Sequence, residues 1–167
     1  MRILGIDPGT AITGFGIIEK IGNSFKTIEY GCIRTPANME LCQRLIVIHN
    51  QVTQLIAQFA PQEVAIEELF FNNNARTALS VGHARGVIML AAAEAQLPIG
   101  EYTPLQVKQA VVGYGRAEKK QVQVMIKTLL NLPSIPKPDD VADALAIAIC
   151  HAHSREGVWN NLAKYTK

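Results

Sequence analysis

Short runs of apolar residues typical of β-strands alternate with turn residues along the first part of the chain: "RILGID", "GFGIIEK" and "SFKTIEYGCIRT". The turn-forming pairs Pro8-Gly9 and Gly22-Asn23 separate these runs. Short β-type runs bounded by turn residues are typical of strands joined by tight connections. The first part of the chain is therefore predicted to form a meander of three strands.

The rest of the chain combines helical patterns with two further strands. Apolar residues recur at helical spacing over residues 39–60 and again over about 74–95, and the apolar run "EVAIEELFF" between them predicts a buried strand. The stretch "PIGEYT" predicts a short fifth strand, after which helical patterns continue to the end. Because crossover helices pack back over a sheet, the sequence predicts an α/β fold, with a five-stranded mixed sheet flanked by helices on both faces.

Length and composition fit one folded domain. A chain of 167 residues rich in Ile, Val, Leu and Ala is long enough to bury a sizeable core. We expect this domain to span residues 1–154 and to be followed by a mobile tail at 155–167, where periodic apolar positions are few. Apolar runs stop short of a membrane span, and "MRILGID" does not resemble a signal peptide. We therefore expect a cytoplasmic protein without membrane association.

Net charge is only +2, but basic residues are concentrated in one stretch. Between positions 108 and 127 the chain carries Lys108, Arg116, Lys119, Lys120 and Lys127 against a single acid, Glu118. A local excess of this kind suits phosphate binding. An ordinary solvated helix face would have the same composition.

Acidic residues stand at the ends of two predicted strands. Asp7 closes "RILGID", and Glu67 and Glu68 lie late in "VAIEELFF". The ends of strands in an α/β sheet commonly form the binding crevice. Strand alternation places Glu67 and Glu68 on opposite faces and leaves open which face is active.

A third group of acids opens the last predicted helix, "PDDVADALAIAIC", which is otherwise apolar on every side. Asp143 shares a helix face with Asp139 and with Asp140, and helix capping accounts for one or two of these acids. Because Lys and Arg are absent from the acidic segments, we expect divalent metal rather than salt bridges to neutralise them. Hard oxygen ligands select magnesium or manganese, and a pair of such ions suits phosphodiester cleavage.

Four stretches together carry a resemblance to a known family: "GIDPGTAITGFG", "VAIEELFFNNNARTALSVGHARG", "YTPLQVKQAVVGYGRAEKKQVQ" and "DDVADALAIAICHAH". In their order and spacing they resemble the RuvC family of bacterial Holliday-junction resolvases, over essentially the whole chain except the tail. The resemblance implies an RNase H-like fold, a homodimer, and magnesium-dependent nicking of two opposed strands of a four-way DNA junction during recombination and repair. It also implies that the protein works with the RuvA and RuvB branch-migration proteins.

The same resemblance assigns roles to individual residues. It implies two Mg²⁺ ions per site, for which Mn²⁺ can substitute, and a capping role for Asp139. Catalysis and metal binding fall on four acids: Asp7, Glu67, Asp140 and Asp143. For DNA binding it implies that Phe70 stacks on an unpaired base and that Lys108 and Lys119 contact phosphates.

Other interpretations remain open at this point. The same metal chemistry would permit an RNase H-like nuclease that acts on RNA, and the basic stretch would permit a junction-binding subunit without catalysis. The stretch "GIDPGTAITGFG" is also similar to the first phosphate-binding hairpin of actin-like ATPases and sugar kinases, but this chain is too short for the two lobes of those proteins. His151, two turns beyond Asp143, either borders the acidic site or packs elsewhere.

Overall fold

The computed structural model describes residues 1–68 and 75–165, with side chains described for residues 1–68 and 78–154. The strands within these ranges are β1 (Arg2–Asp7), β2 (Ile12–Ile21), β3 (Ser24–Arg34), β4 (Glu63–Glu67) and β5 (Ile99–Tyr102). The helices are α1 (Leu41–Phe59), α2 (Ala75–Glu94), α3 (Pro104–Val112), α4 (Lys119–Leu129) and α5 (Asp139–Tyr165).

The strands form one sheet in the order β3-β2-β1-β4-β5. The first three strands pair antiparallel, and β4 and β5 extend the sheet in parallel from the other side of β1. The predicted meander and the five-stranded mixed sheet are both confirmed. Strand β4 ends at Glu67, so Glu68 already lies beyond it, whereas the apolar run had predicted a longer strand.

Strand alternation divides the core into two layers. Ile3 and Ala65 belong to the cluster that packs against α3, α4 and α5. Leu4 and Ile66 point the other way, into the cluster formed with α1 and α2. Since alternate residues of a strand share a face, Asp7 of β1 and Glu67 of β4 lie on the α5 side.

Glycines in β1 and β2 let α5 approach the sheet closely. A Cβ on Gly5 would overlap the carbonyl oxygen of Ala144, and one on Gly14 would overlap the carbonyl oxygen of Asp140. A Cβ on Gly16 would lie 2.5 Å from a methyl carbon of Leu145. Helix α5 therefore crosses β1 and β2 at a distance that side chains would not permit, and its first turn lies over the end of β1.

Helix α5 continues to Tyr165, and the division into a domain of residues 1–154 and a mobile tail stays a prediction. Among the described residues, no helix combines the length and apolar character that crossing a membrane requires.

Candidate active site

The fold brings the four predicted acids together at one edge of the sheet. Asp7 and Glu67 are the last residues of β1 and β4, which are parallel neighbours and so end at the same edge. Asp140 lies in the first turn of α5, and Asp143 follows one turn later. The carboxyl group of Asp7 is electrostatically coupled to the other three. These four residues are called the acid centre below.

Three members of the acid centre, Asp7, Glu67 and Asp143, hold protons more tightly than isolated carboxyl groups do. Burial, followed by the negative charges of Glu67, Asp143 and Asp140, raises the pKa of Asp7 to about 8. Burial and the charge of Asp143 raise the pKa of Glu67 as well. Burial also raises the pKa of Asp143, although Lys119 opposes this rise. Buried acids that raise each other's pKa favour the binding of a cation between them.

A lysine from a distant segment supplies one such cation. Lys119 Nζ lies 3.0 Å from Asp143 Oδ2 and 3.5 Å from Asp139 Oδ2. Burial lowers the pKa of Lys119, but the hydrogen bonds and charges of Asp143 and Asp139 outweigh it, so the pKa is raised. The expectation that salt bridges are absent from these acids is therefore wrong. The local sequence does not show that Lys119 of α4 lies beside the start of α5.

Asp139 is the first residue of α5, where a negative charge is favourable to the helix dipole. Besides Lys119, it bonds Lys137, whose Nζ lies 2.9 Å from Asp139 Oδ1. The hydrogen bond from Lys137 is the main cause that lowers the pKa of Asp139. Asp139 thus differs from Asp7, Glu67 and Asp143, whose pKa values are all raised.

Both predicted DNA-binding lysines lie beside the acids. Lys108 of α3 and Lys119 of α4 line a cavity of about 210 Å³ together with Glu67 and Asp143, and the rest of its wall is largely apolar. The cavity combines carboxylates that can bind cations with ammonium groups that can bind phosphate. Phe70, predicted to stack on a base, lies outside the described residues.

A second groove of about 480 Å³ adjoins Asp140 on the side of the β1–β2 turn and α2. Thr10 and Ser80 line it, and their hydroxyl groups form a hydrogen bond, with 2.7 Å between Thr10 Oγ1 and Ser80 Oγ. Sequence reasoning did not single out either residue. Thr10 belongs to the quoted "GIDPGT" stretch, but nothing in the local pattern indicates that α2 approaches this turn.

Three further polar residues lie outside the acid centre, and one of them, Arg85, bonds the backbone of Glu67. Glu68 is exposed beyond the end of β4. Arg85 of α2 donates from Nε to the carbonyl oxygen of Glu67 at 3.2 Å and forms an ion pair with Glu101. His151 is buried and bonds Glu63 and Tyr102, so it packs in the core.

The donor chemistry of the acid centre fits a hard divalent cation, because every candidate ligand is a carboxylate oxygen. Within the described part of the chain, however, no three His, Cys, Asp or Glu side chains are grouped closely enough to hold one metal ion. Asp143 directs an oxygen to Lys119 instead. The residue types therefore suit a metal site, but their side chains are not positioned to coordinate one ion together.

Comparison with known proteins connects this site to a family. The family model described as crossover junction endodeoxyribonuclease RuvC matches residues 3–151. A curated relative with that description from Desulforamulus reducens is 63% identical over 152 residues, which cover 91% of this chain and 93% of the relative. Another, from Alkaliphilus metalliredigens, is 65% identical over 154 residues, which cover 92% of this chain and 94% of the relative.

Solved structures match over the same range. Thermus thermophilus RuvC in complex with Holliday junction substrate superposes with a TM-score of 0.89 at 38% identity, covering 94% of this chain and 96% of that one. The yeast mitochondrial Holliday junction resolvase Ydc2 has a TM-score of 0.67 at 14% identity, with 99% of this chain and 86% of that one covered, and is similar in fold. The predicted RNase H-like fold is confirmed.

Proposed function

The chain belongs to the RuvC family of crossover junction endodeoxyribonucleases, and from this premise we propose that it resolves four-way DNA junctions by hydrolytic nicks in two opposed strands. The observation that carries the proposal is the grouping of Asp7, Glu67, Asp140 and Asp143 at one sheet edge. A relative of known structure carries a Holliday junction on the same fold. Recombination and DNA repair are the processes that such an activity serves.

The acid centre is assigned to catalysis and to binding two magnesium ions, with manganese as a substitute. When bound, such ions supply Lewis acids for phosphodiester hydrolysis. Asp7, whose carboxyl group has three acidic neighbours, would help to hold both ions, and Glu67 and Asp140 would each help to hold one. Asp143 would hold an ion or orient the attacking water.

The two lysines are assigned to the DNA backbone. Lys108 and Lys119 line the cavity that contains Glu67 and Asp143, so a phosphate bound there lies within reach of both ammonium groups. Their positive charge offsets the repulsion between the phosphate and the carboxylates. Base stacking by Phe70 remains part of the proposal on the strength of the family motif alone.

A homodimer is proposed because two opposed nicks need two active sites. The alanine-rich stretch at about 87–95 is one possible interface, but it faces inward in part, since Ala91 and Ala92 are buried within the protein. The outward face of α2 is a better candidate. Leu79 and Leu90 are 62% and 51% exposed on it, and Gly86 between them has open space around its Cα.

Two further expectations rest on family membership. Co-operation with the RuvA and RuvB branch-migration proteins follows from the likeness to RuvC relatives along nearly the whole domain. A cytoplasmic location follows from a chromosomal DNA substrate. Co-purification of the tagged full-length chain with RuvA and RuvB from bacterial cells tests the first expectation.

The direct test is cleavage of a synthetic four-way junction beside a linear duplex of the same sequence, with magnesium and then with chelator. Symmetric nicks confined to the junction and lost on chelation support the proposal. The Asp7→Asn variant is expected to bind the junction without cutting it. Binding without nicks by the wild type would instead indicate a non-catalytic junction binder, and equal cutting of branched RNA would indicate an RNA-processing nuclease.

A further inference from the structure

Three polar side chains form a hydrogen-bonded chain in the core beneath the acid centre. His151 Nε2 lies 2.5 Å from Glu63 Oε2, and His151 Nδ1 lies 2.8 Å from Tyr102 Oη. His151 is 3% exposed and Glu63 is 6% exposed. Burial of such groups is costly unless they are hydrogen-bonded, so their bonds constrain where the three side chains lie. Glu63, His151 and Tyr102 are called the buried triad below.

Gly100 of the sheet leaves room for the imidazole ring of His151. Gly100 of β5 has no side chain where the ring lies: a Cβ there would overlap His151 Nδ1 and would lie 3.1 Å from Tyr102 Cε2. The rings of Tyr102 and His151 meet edge to face, with centroids 5.6 Å apart and planes at 78°. An imidazole protonated on Nε2 satisfies both bonds, because Nε2–H donates to Glu63 and the Tyr102 hydroxyl donates to Nδ1.

The buried triad joins the elements that carry the acid centre. Glu63 and Glu67 are the first and last residues of β4 and share its α5 face. Tyr102 is the ladder partner of Glu67 in β5, so the two side chains are neighbours on that face. His151 lies in α5 two turns beyond Asp143. The triad thus ties the strand of Glu67 to the helix of Asp143.

Tyr102 also precedes the start of α3. The next residue, Thr103, caps that helix: its side chain accepts a hydrogen bond from the backbone N–H of Gln106 at 3.2 Å. Lys108 lies one turn further along α3. A fixed position for Tyr102 therefore also fixes where the lysine-bearing helix begins.

We propose that Glu63, His151 and Tyr102 are positioning residues that hold Glu67, Asp143 and Lys108 at the spacing that strand cleavage requires. The inference rests on the proposed function. Apolar side chains would fill this volume without fixing a direction, whereas a chain of hydrogen bonds sets both the distance and the orientation of α5 against β4 and β5. Because Glu63 and His151 are buried, they act through the residues that they hold in place.

The first test separates cleavage from binding and stability. Tyr102→Phe removes only the hydroxyl group, and Glu63→Gln keeps the shape of the side chain. In single-turnover reactions with enzyme in excess, each is expected to cut the junction about tenfold more slowly, because a small misplacement of the reacting groups lowers the rate steeply. Junction Kd measured without divalent metal is expected to stay within about twofold, because Lys108 is only one of the residues proposed to contact the DNA. Wild-type cleavage rates in both variants would overturn the proposal.

A second pair of variants distinguishes positioning from packing. His151→Gln can donate to Glu63 and accept from Tyr102, whereas His151→Leu fills the site without hydrogen bonds. The glutamine variant is expected to retain more of the cleavage rate at equal thermal stability. His153→Gln, on the exposed side of the same helix, is the matched control and should cut like the wild type. A leucine variant as active as the wild type would show that the triad only packs.

A readout in metal-free protein keeps the two proposals distinguishable. The ¹³C carboxyl resonance of Glu67 is expected to shift in Tyr102→Phe and to remain in place in His153→Gln. If the wild type fails to cut the junction, the proposed function fails, yet a shifted Glu67 resonance still supports the positioning role. An unmoved resonance in Tyr102→Phe contradicts the positioning role even if the wild type cuts.

Discussion

Gly14 of β2 lies so close beneath Asp140 of α5 that a Cβ on the glycine would overlap the aspartate's carbonyl oxygen. Gly14 is also the ladder partner of Asp7. The absence of one side chain therefore brings the first turn of α5 over the strand end that carries Asp7. Because the contact involves backbone atoms, rotation of a side chain cannot relieve it.

Gly14→Ala is accordingly expected to displace the first turn of α5 and with it Asp140. Misplacement of a reacting group by about 1 Å typically costs about 100-fold in rate, and we expect a loss of that order in single-turnover junction cleavage. The matched control is Gly16→Ala, whose added methyl meets the side chain of Leu145 and costs about 1–3 kcal/mol of stability through overpacking. Thermal unfolding of both variants, measured beside cleavage, separates lost stability from lost alignment. Wild-type cutting by Gly14→Ala would contradict this account of the acid centre.

The raised pKa of Asp7 predicts how stability depends on pH in metal-free protein. The pKa of this group is 3.8 when unfolded and about 8 when folded, so between these values the folded state holds a proton that the unfolded state has lost. Its contribution to the free energy of unfolding is fully present below the unfolded pKa and is lost as pH rises through the folded pKa. The loss amounts to at most about 1.4 kcal/mol per pH unit in that window.

Asp7→Asn removes this titration, so its melting temperature is expected to fall less between pH 5 and 8, within the window that the raised Asp7 pKa defines. Asp139→Asn is the control, because the contribution of Asp139 to stability changes with pH in the opposite direction. Because the pKa of Asp139 is lowered in the folded state, its contribution is present above its unfolded pKa and is lost as pH falls. Thermal denaturation in chelator between pH 5 and 8 checks the prediction for Asp7, and the same measurement continued below pH 3.8, the unfolded pKa of Asp139, checks the opposite prediction for Asp139. If the melting temperature falls equally with pH in Asp7→Asn and in the wild type, Asp7 is not the group that causes the pH dependence.

Lys119 predicts a shift in the pH dependence of cleavage. Its charge lowers the pKa of Asp7, Glu67 and Asp143. Lys119→Met is therefore expected to raise the pKa of these acids further, so that cleavage at a fixed, subsaturating magnesium concentration reaches half of its maximum at a higher pH. Lys119→Arg keeps the charge and should shift the profile less. Lys120→Met removes a neighbouring exposed lysine and should leave the midpoint unchanged; an equal shift in that variant would indicate a general loss of positive charge.

The elements and the acids could be predicted from the sequence because their signals are local. A short apolar run before the Pro8-Gly9 turn identified β1, and the position of Asp7 at its end follows from the same few residues. Strand alternation alone did not choose between Glu67 and Glu68, and the resemblance to the RuvC family made that choice. Only the packing of Ala65 against α5 and of Ile66 against α1 and α2 shows that Glu67 shares the face of Asp7.

Contacts between distant segments could not be predicted. The pairing of Lys119 with Asp143 joins two helices whose relative position depends on the whole core, and the reading of the acids as free of salt bridges failed for that reason. The buried triad could not be predicted from the sequence either. Glu63 and His151 are 88 positions apart, and neither belongs to a pattern that marks it as polar core.

The outward face of α2 gives the remaining prediction, which concerns assembly. Leu79, Gly86 and Leu90 recur at intervals of seven and four and so share one side of the helix. Burying an exposed leucine contributes about 1.5–3 kcal/mol, and a charge at the same place reverses that gain. Leu90→Glu is expected to sediment as a monomer at micromolar concentration, to keep its melting temperature, and to lose paired nicking. Ile21→Glu, at an exposed apolar residue on the β2–β3 hairpin, should remain dimeric. A wild-type protein that sediments only as a monomer would contradict the dimer and would require each nick to be made independently.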